Sequence, residues 1–287
     1  EINIGDWSSD VCSSDLTRDI PQSFWRDEQL PWLELRSTWQ SLQAYKRHHH
    51  SQLSIGAILE GETCCLCDGK EYHLQVGDLI VIPPLAPHSC NPVNRQFRSY
   101  HMLYLDARWC LAHLPAQNNN QRLCTRDRVI RDRQLFQHYV NLVALMQQRQ
   151  TTRVTDAAQA LLRSLPLQSV APENLSAASQ YLRERLQSSL LTPPSLDELA
   201  HECHMRKETL IRTFKQDTGL TPASFLNISR VEYAKARLRA GDDIADVSYQ
   251  SGFADQSHFH KTFVRYSAAT PRQYATGRSI SDNNQDT

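Results

Sequence analysis

The sequence has no excess of charge of either sign: Lys and Arg number 31, and Asp and Glu number 31, in 287 residues. This counts against a uniformly basic chain that coats nucleic acid, although a balanced total can hide a basic face. No apolar run approaches the ~20 residues that a membrane-spanning helix needs. The first residues are polar and acidic, without the basic start and apolar stretch of a secretory signal. The eight cysteines are irregularly spaced in a chain too long to depend on disulfide staples. With no export signal they read as reduced thiols, and a cytoplasmic location is expected. A 40% hydrophobic chain of this length has material for about two domains.

Residues 1–16, ending Trp7-Ser-Ser-Asp-Val-Cys-Ser-Ser-Asp-Leu16, resemble the conceptual translation of a sequencing adapter and are expected to be disordered. After Pro31, Trp32 to Arg36 reads as an early strand. A series of short strands follows: Leu53 to Leu59, Thr63 to Cys67, Tyr72 to Val76, Leu79 to Ile82 and Arg98 to Leu105. They are separated by Glu60-Gly61, Asp68-Gly69 and Gly77-Asp78, and Pro83-Pro84 ends the fourth. Asp-Gly is a hairpin signal because both turn residues must take positive φ. Short strands with regular turns predict a sandwich or barrel. The polar run 117–121 predicts an exposed loop. From Val129 to Met146 the apolar period becomes helical, a second helix is expected from Thr155 to Leu165, and Pro166 to Pro172 reads as a linker.

The remaining signals are helical. Ser195-Leu-Asp-Glu198 is a capping box opening a short helix with Leu196, Leu199 and Ala200 inside. A turn near Cys203–Met205 leads to a second helix, Arg206 to Thr218, with Leu210 and Phe214 inside and Gly219 ending it. Two short helices so joined make a helix-turn-helix. Thr221-Pro222 starts a long helix to Gly241, and the pattern then repeats at an offset of 49 residues. Leu210, Thr213 and Phe214 map onto Phe259, Thr262 and Phe263; Arg212 maps onto Lys261, and Thr221-Pro222 onto Thr270-Pro271. From Arg206 to Arg239 the local charge is basic, with eight basic against three acidic residues. Two such units on one long helix can set two recognition helices in successive major grooves.

Residues 195–274 resemble the DNA-binding domain of AraC/XylS-type transcription regulators. The likeness is carried by Leu-x-x-Leu-Ala at 196–200, Leu-x-x-x-Phe-Lys at 210–215, Thr-Gly-Leu-Thr-Pro at 218–222 and Arg-x-x-x-Ala-x-x-x-Leu at 230–238. Gly-Phe-Ala-Asp-Gln-Ser-His-Phe-His-Lys-Thr-Phe at 252–263 and Thr-Pro-x-x-Tyr at 270–274 complete it. Two positions depart from the family pattern: Arg206 stands where a Ser cap is usual, and Ala268 where Gly is usual. The resemblance implies that Arg206, Lys207, Glu208, Ile211, Arg212 and Lys215 of the first recognition helix contact double-stranded DNA. In the second it implies Gln256, Ser257, His260 and Lys261. Arg and Lys suit guanine or phosphate, Gln suits adenine, and Glu can accept from cytosine. A homodimer, with RNA polymerase as a further partner, is what such regulators imply.

Residues 31–106 resemble the cupin-like sensor barrel of the same family. The carriers are Pro-Trp-Leu-Glu-Leu-Arg at 31–36, His-x-His at 48–50, Ser-Ile-Gly-Ala-Ile-Leu-Glu-Gly at 54–61, Gly-Asp-Leu-Ile-Val-Ile-Pro-Pro at 77–84 and Pro-His at 87–88. The expected fold is α+β: a cupin-like barrel over 17–115, a helical dimerisation and linker region over 116–172, a double helix-turn-helix domain over 173–277, and a disordered tail over 278–287. Arg36, His48, His50, His88 and Tyr104 are expected to line an effector pocket. Cupin enzymes hold a metal with three His and a Glu. Ser54 stands where that Glu would fall and Leu85 where a Gly would, so no metal, cofactor or enzymatic activity is expected; a metal-dependent cupin enzyme fused to a DNA-binding domain, and an effector-free regulator, are the rival readings. Cys64-Cys65-x-Cys67 lacks the second cysteine pair of a zinc site and reads as core or surface thiols. The Val129–Met146 stripe is open between a core helix and a dimer seam.

Overall fold

The computed structural model describes residues 20–114, 121–172 and 174–277. The stretches 1–16 and 278–287, and most of the loop at 117–121, lie outside them. Eight strands come first: β1 (Gln22–Trp25), β2 (Leu33–Ser41), β3 (Leu53–Glu60), β4 (Thr63–Cys67), β5 (Lys70–Leu74), β6 (Leu79–Ile82), β7 (His88–Pro92) and β8 (Arg98–Leu105). After α1 (Ala107–His113) come β9 (Arg122–Thr125), β10 (Val129–Ile130), α2 (Arg133–Gln147), α3 (Thr151–Ser164) and β11 (Leu167–Val170). The rest is helical: α4 (Ala177–Ser188), α5 (Leu196–Glu202), α6 (Lys207–Thr218), α7 (Pro222–Arg239), α8 (Ile244–Gln250), α9 (Gln256–Ser267) and α10 (Pro271–Thr276). The expected α+β class is observed.

Alternation along three strands explains the front half. In β3, Leu53, Ile55 and Ala57 join a core with Leu79 and Val81 of β6 and Leu103 and Leu105 of β8. That core is closed by Tyr139, Leu142, Val143 and Met146 of α2 and by Val154, Ala158, Leu161 and Leu162 of α3. The intervening residues face the other way. Ile58, Ile80, Ile82 and Tyr100 pack with Cys65, Cys67 and Leu74 of the second sheet. The six-stranded sheet, ordered β1-β2-β8-β3-β6-β10, is therefore covered by helices on one face and by the three-stranded sheet β5-β4-β7 on the other. The β4–β5 hairpin closes at Asp68-Gly69 with φ of 52° and 74°, the double positive φ that its dipeptide predicts.

Three expectations are corrected. Val129 and Ile130 do not begin the helix; they pair with β6 as an edge strand, and the helix opens at Arg133 behind Asp132, which caps it. The segment Pro166 to Pro172 is not a free linker, because β11 pairs with β9 along four residues. The second helix starts at Thr151 rather than Thr155. The α2 stripe packs largely into one core with β3, β6, β8 and α3.

The C-terminal half forms one core in which Phe214 and Phe263 are fully buried at equivalent points of the two repeats. Ser195 and Glu198 make both bonds of the capping box, and Thr221 and Thr270 cap α7 and α10. Arg206 sits at the cap of α6 and makes no side-chain capping bond. Ala268 ends α9 in the left-handed conformation, φ 46° and ψ 36°, where an L side chain costs about 1 kcal/mol. Replacing it with Gly removes that strain, offset in part by a freer unfolded chain. Ala268→Gly is therefore expected to raise the midpoint of urea unfolding. A lower midpoint would show that the contacts of the buried Cβ outweigh the strain.

Candidate functional site

A cleft, partly open to solvent, lies between the two sheets of the front half. Its polar end is built by backbone pairing. The His48 amide donates to the His88 carbonyl at 2.9 Å, and the His88 amide returns to His48 at 2.7 Å. The two imidazoles thus lie side by side, and His50, two residues along extended chain, joins them. Nδ1 of His48 lies 2.7 Å from the Lys46 carbonyl, and Nδ1 of His88 lies 2.9 Å from the Ala86 carbonyl. A carbonyl only accepts, so each Nδ1 carries the proton and each Nε2 keeps its lone pair. Nε2 of His48 is 3.2 Å from Nε2 of His50, which then carries the proton between them. Burial pushes His48 and His50 well below the usual histidine range and His88 down to about 4. All three are neutral at physiological pH.

One nitrogen from each imidazole lies within 4.8 Å of the others, a donor set that fits a divalent ion with a preference for imidazole. The fit is through three histidines alone. Ser54, on the cavity side of β3, is 1% exposed and supplies a hydroxyl without a partner rather than a carboxylate. Such an ion would supply a Lewis-acidic anchor for a donor atom.

Of the expected effector residues, His48, His50, His88 and Tyr104 meet in this cavity. Arg36 does not. It is 2% exposed, and its Nη1 and Nη2 donate to the carbonyls of Ser267 and Ala268 at 2.7 and 2.8 Å. These are the last carbonyls of α9, left without helical partners, and a cation suits that end of the helix dipole. Arg36 instead lines a second space between the two halves, with Tyr104, His50, Lys235 and Tyr274. Period-two reading back from Tyr104 also gives Tyr100 and Arg98, which line the first cavity and were not among the expected residues.

The front half reaches the helical half at further points. Gln22 donates to the Ala268 carbonyl, Gln273 donates to the Ile20 carbonyl at 2.8 Å, and Arg26 donates to the Tyr274 carbonyl at 2.9 Å. The Lys46 amide donates to the Arg265 carbonyl at 3.2 Å. At the end of α6, a Cβ on Gly219 would lie 2.9 Å from Pro87, so the turn after that helix abuts the segment carrying His88.

Both repeat helices present polar faces opposite their buried Phe. Arg206, Glu208, Arg212 and Lys215 are exposed near and along α6, and Gln256, Ser257 and Lys261 are exposed on α9. Ile211 and His260 are half-buried. Lys207 is turned back: its ammonium pairs with Asp197 of α5 at 2.8 Å. The exposed Arg265 extends the basic face of α9 beyond the residues expected there.

The model of an AraC-like ligand binding domain matches residues 33–204, more than half of the chain, and that of a helix-turn-helix domain matches 199–277. The chain belongs to the AraC family of regulators. It is similar to YbfI of Bacillus subtilis, an uncharacterized HTH-type transcriptional regulator, with 25% identity over 241 residues, 76% of this chain and 82% of YbfI. It is also similar to the transcriptional activator RhaS of Escherichia fergusonii, with 34% identity over 110 residues. That match covers 38% of this chain and only 40% of RhaS. Apo ToxT from Vibrio cholerae shares the fold at 12% identity and a TM-score of 0.58, over 86% of this chain and 98% of ToxT. ToxT bound to an unsaturated fatty acid aligns at 13% identity and a TM-score of 0.54, over 91% and 98%. An AraC-family regulator of this kind is a DNA-binding transcription regulator with an N-terminal ligand-binding domain. Among the described residues no helix is long and apolar enough to cross a membrane.

The neutral histidines make stability depend on pH. Unfolded, His88 titrates near 6.5; folded, near 4, so its contribution is complete above 6.5 and is lost as pH falls toward 4. That difference is worth roughly 3 kcal/mol for one group. In chelator-treated buffer the melting temperature should fall between pH 7 and pH 4.5, and His88→Asn should flatten the fall. An unchanged slope in the variant would mean that the imidazole is already charged in the folded protein.

Proposed function

We propose that a small-molecule effector occupies the cavity between the sheets and controls binding of the two helix-turn-helix units to a bipartite DNA site. The observation that carries this reading is the continuity of the two functions. His50 and Tyr104 border both the inner cavity and the interdomain space, and Arg36 in that space holds the end of α9. An effector that fits one arrangement of Tyr104 and Arg36 better than another changes the position of α9 by its difference in affinity. A ToxT structure bound to an unsaturated fatty acid supports a small-molecule ligand for a protein of this fold. An enzyme reading is weaker, because Ser54 replaces the expected carboxylate. A homodimer, contact with RNA polymerase and a cytoplasmic location accompany the reading. A metabolite panel tests the effector: a compound that binds only the native state raises the melting temperature, and His50→Ala with His88→Ala removes the rise.

The DNA reading rests on the repeat. Phe214 and Phe263 fix the rotation of α6 and α9, so Arg212 and Lys261 project outward at equivalent places. In successive major grooves the sub-sites lie about ten base pairs apart. On DNA selected from a random pool, Arg212→Ala should cost roughly 1–3 kcal/mol and relax preference in one sub-site only. Lys261→Ala should weaken the other sub-site, or lower affinity evenly and reduce the salt dependence if it meets phosphate. Both substitutions altering preference at the same base pairs would overturn the two-groove reading.

A further inference from the structure

Arg98 opens β8, and strand alternation turns it toward the inner cavity with Tyr100, Met102 and Tyr104. It is 1% exposed. Nη2 donates to the Gln43 carbonyl at 3.0 Å and to the Cys90 carbonyl at 2.9 Å. Nη1 is equally buried and has no partner. Among the described residues no carboxylate pairs with this guanidinium, and none lines the cavity. The Tyr100 ring, its centroid 5.4 Å from the guanidinium carbon, offers only a π face. A guanidinium does not deprotonate in proteins, so the charge is permanent. The cavity wall therefore holds one positive charge, its Nη1 without a partner, beside neutral imidazoles, tyrosines and the apolar side chains of Ile58, Leu74, Ile80 and Met102. A buried charge without a counter-ion is costly, and its partners among the described residues are two carbonyls and a tyrosine ring.

We infer that the cavity takes a carboxylate-bearing metabolite, its carboxylate accepting from Nη1 of Arg98 and its apolar body lying against Ile58, Leu74, Ile80 and Met102. This rests on the effector reading above and adds the chemical class. A single carboxylate matches the single cation. A phosphate would bring a second charge and more acceptors than this lining has free cationic donors to meet.

The test uses the full chain and a panel of carboxylic acids of about four to ten carbons, α-amino acids included, each paired with its amide. Calorimetric titration should find at least one acid that binds below about 1 mM, with its amide roughly thirty-fold weaker or more. Arg98→Gln should bring acid and amide to similar affinity, and Arg98→Lys should keep the preference for the acid. If circular dichroism shows that either variant fails to fold, the acid-to-amide ratio of the wild-type protein decides. Amides binding as tightly as acids, or no acid binding below about 1 mM, would overturn the inference. Stabilisation by neutral metabolites without binding of acids would sink the carboxylate and leave the effector reading standing. If neither class binds, both fall.

Discussion

A guanidinium buried between two domains must find acceptors, and for Arg36 they are the free carbonyls that end α9. The rest of the arrangement follows from that constraint. Arg36 cannot lose its charge and is only 2% exposed, so the front sheet and α9 stay in register while the bonds last. Gln22, Arg26 and Lys46 add neutral or partly exposed contacts around it, but each of these could be replaced by water more cheaply. The left-handed Ala268 belongs to the same junction: its carbonyl accepts from both Arg36 and Gln22.

The sensor sheet reaches this junction and its own cavity through one strand geometry. Because β3, β6 and β8 alternate strictly, their helix-facing residues make the core while their intervening residues make the cavity wall. Tyr100 and Tyr104 on β8 stand between Arg98 on the cavity side and Arg36 on the interdomain side. The Tyr45 and Tyr100 hydroxyls share a hydrogen bond, and Tyr45 borders both spaces. A ligand that moves these rings acts on the groups around Arg36 without crossing a long path.

Much of the helical half was legible because its signals are local. Ser195 with Glu198, Thr221 with Pro222 and the 49-residue repeat each specify structure within a few residues, and the observed caps follow them. His-x-His and Pro87-His88 likewise announced the polar end of the cavity. What stayed hidden depends on partners far along the chain. Arg36 reads as a residue of the inner cavity until Ser267 is seen beside it, 231 residues away. That Lys207 pairs with Asp197 of the preceding helix is not legible locally either. The edge strands β10 and β11 are too short for a period of their own and exist because β6 and β9 have open edges. Arg98 was readable from the alternation of β8, but nothing local says that a buried arginine lacks an acid.

The central claim is that Arg36 carries the coupling between the cavity and the DNA-binding face. It is tested most directly by titrating selected DNA with wild-type protein and with Arg36→Met, each with and without a metabolite that raises the melting temperature. The ligand should change wild-type DNA affinity by about five- to a hundred-fold, and the change should disappear in Arg36→Met while the ligand still binds. The same ligand effect in both proteins would contradict the account.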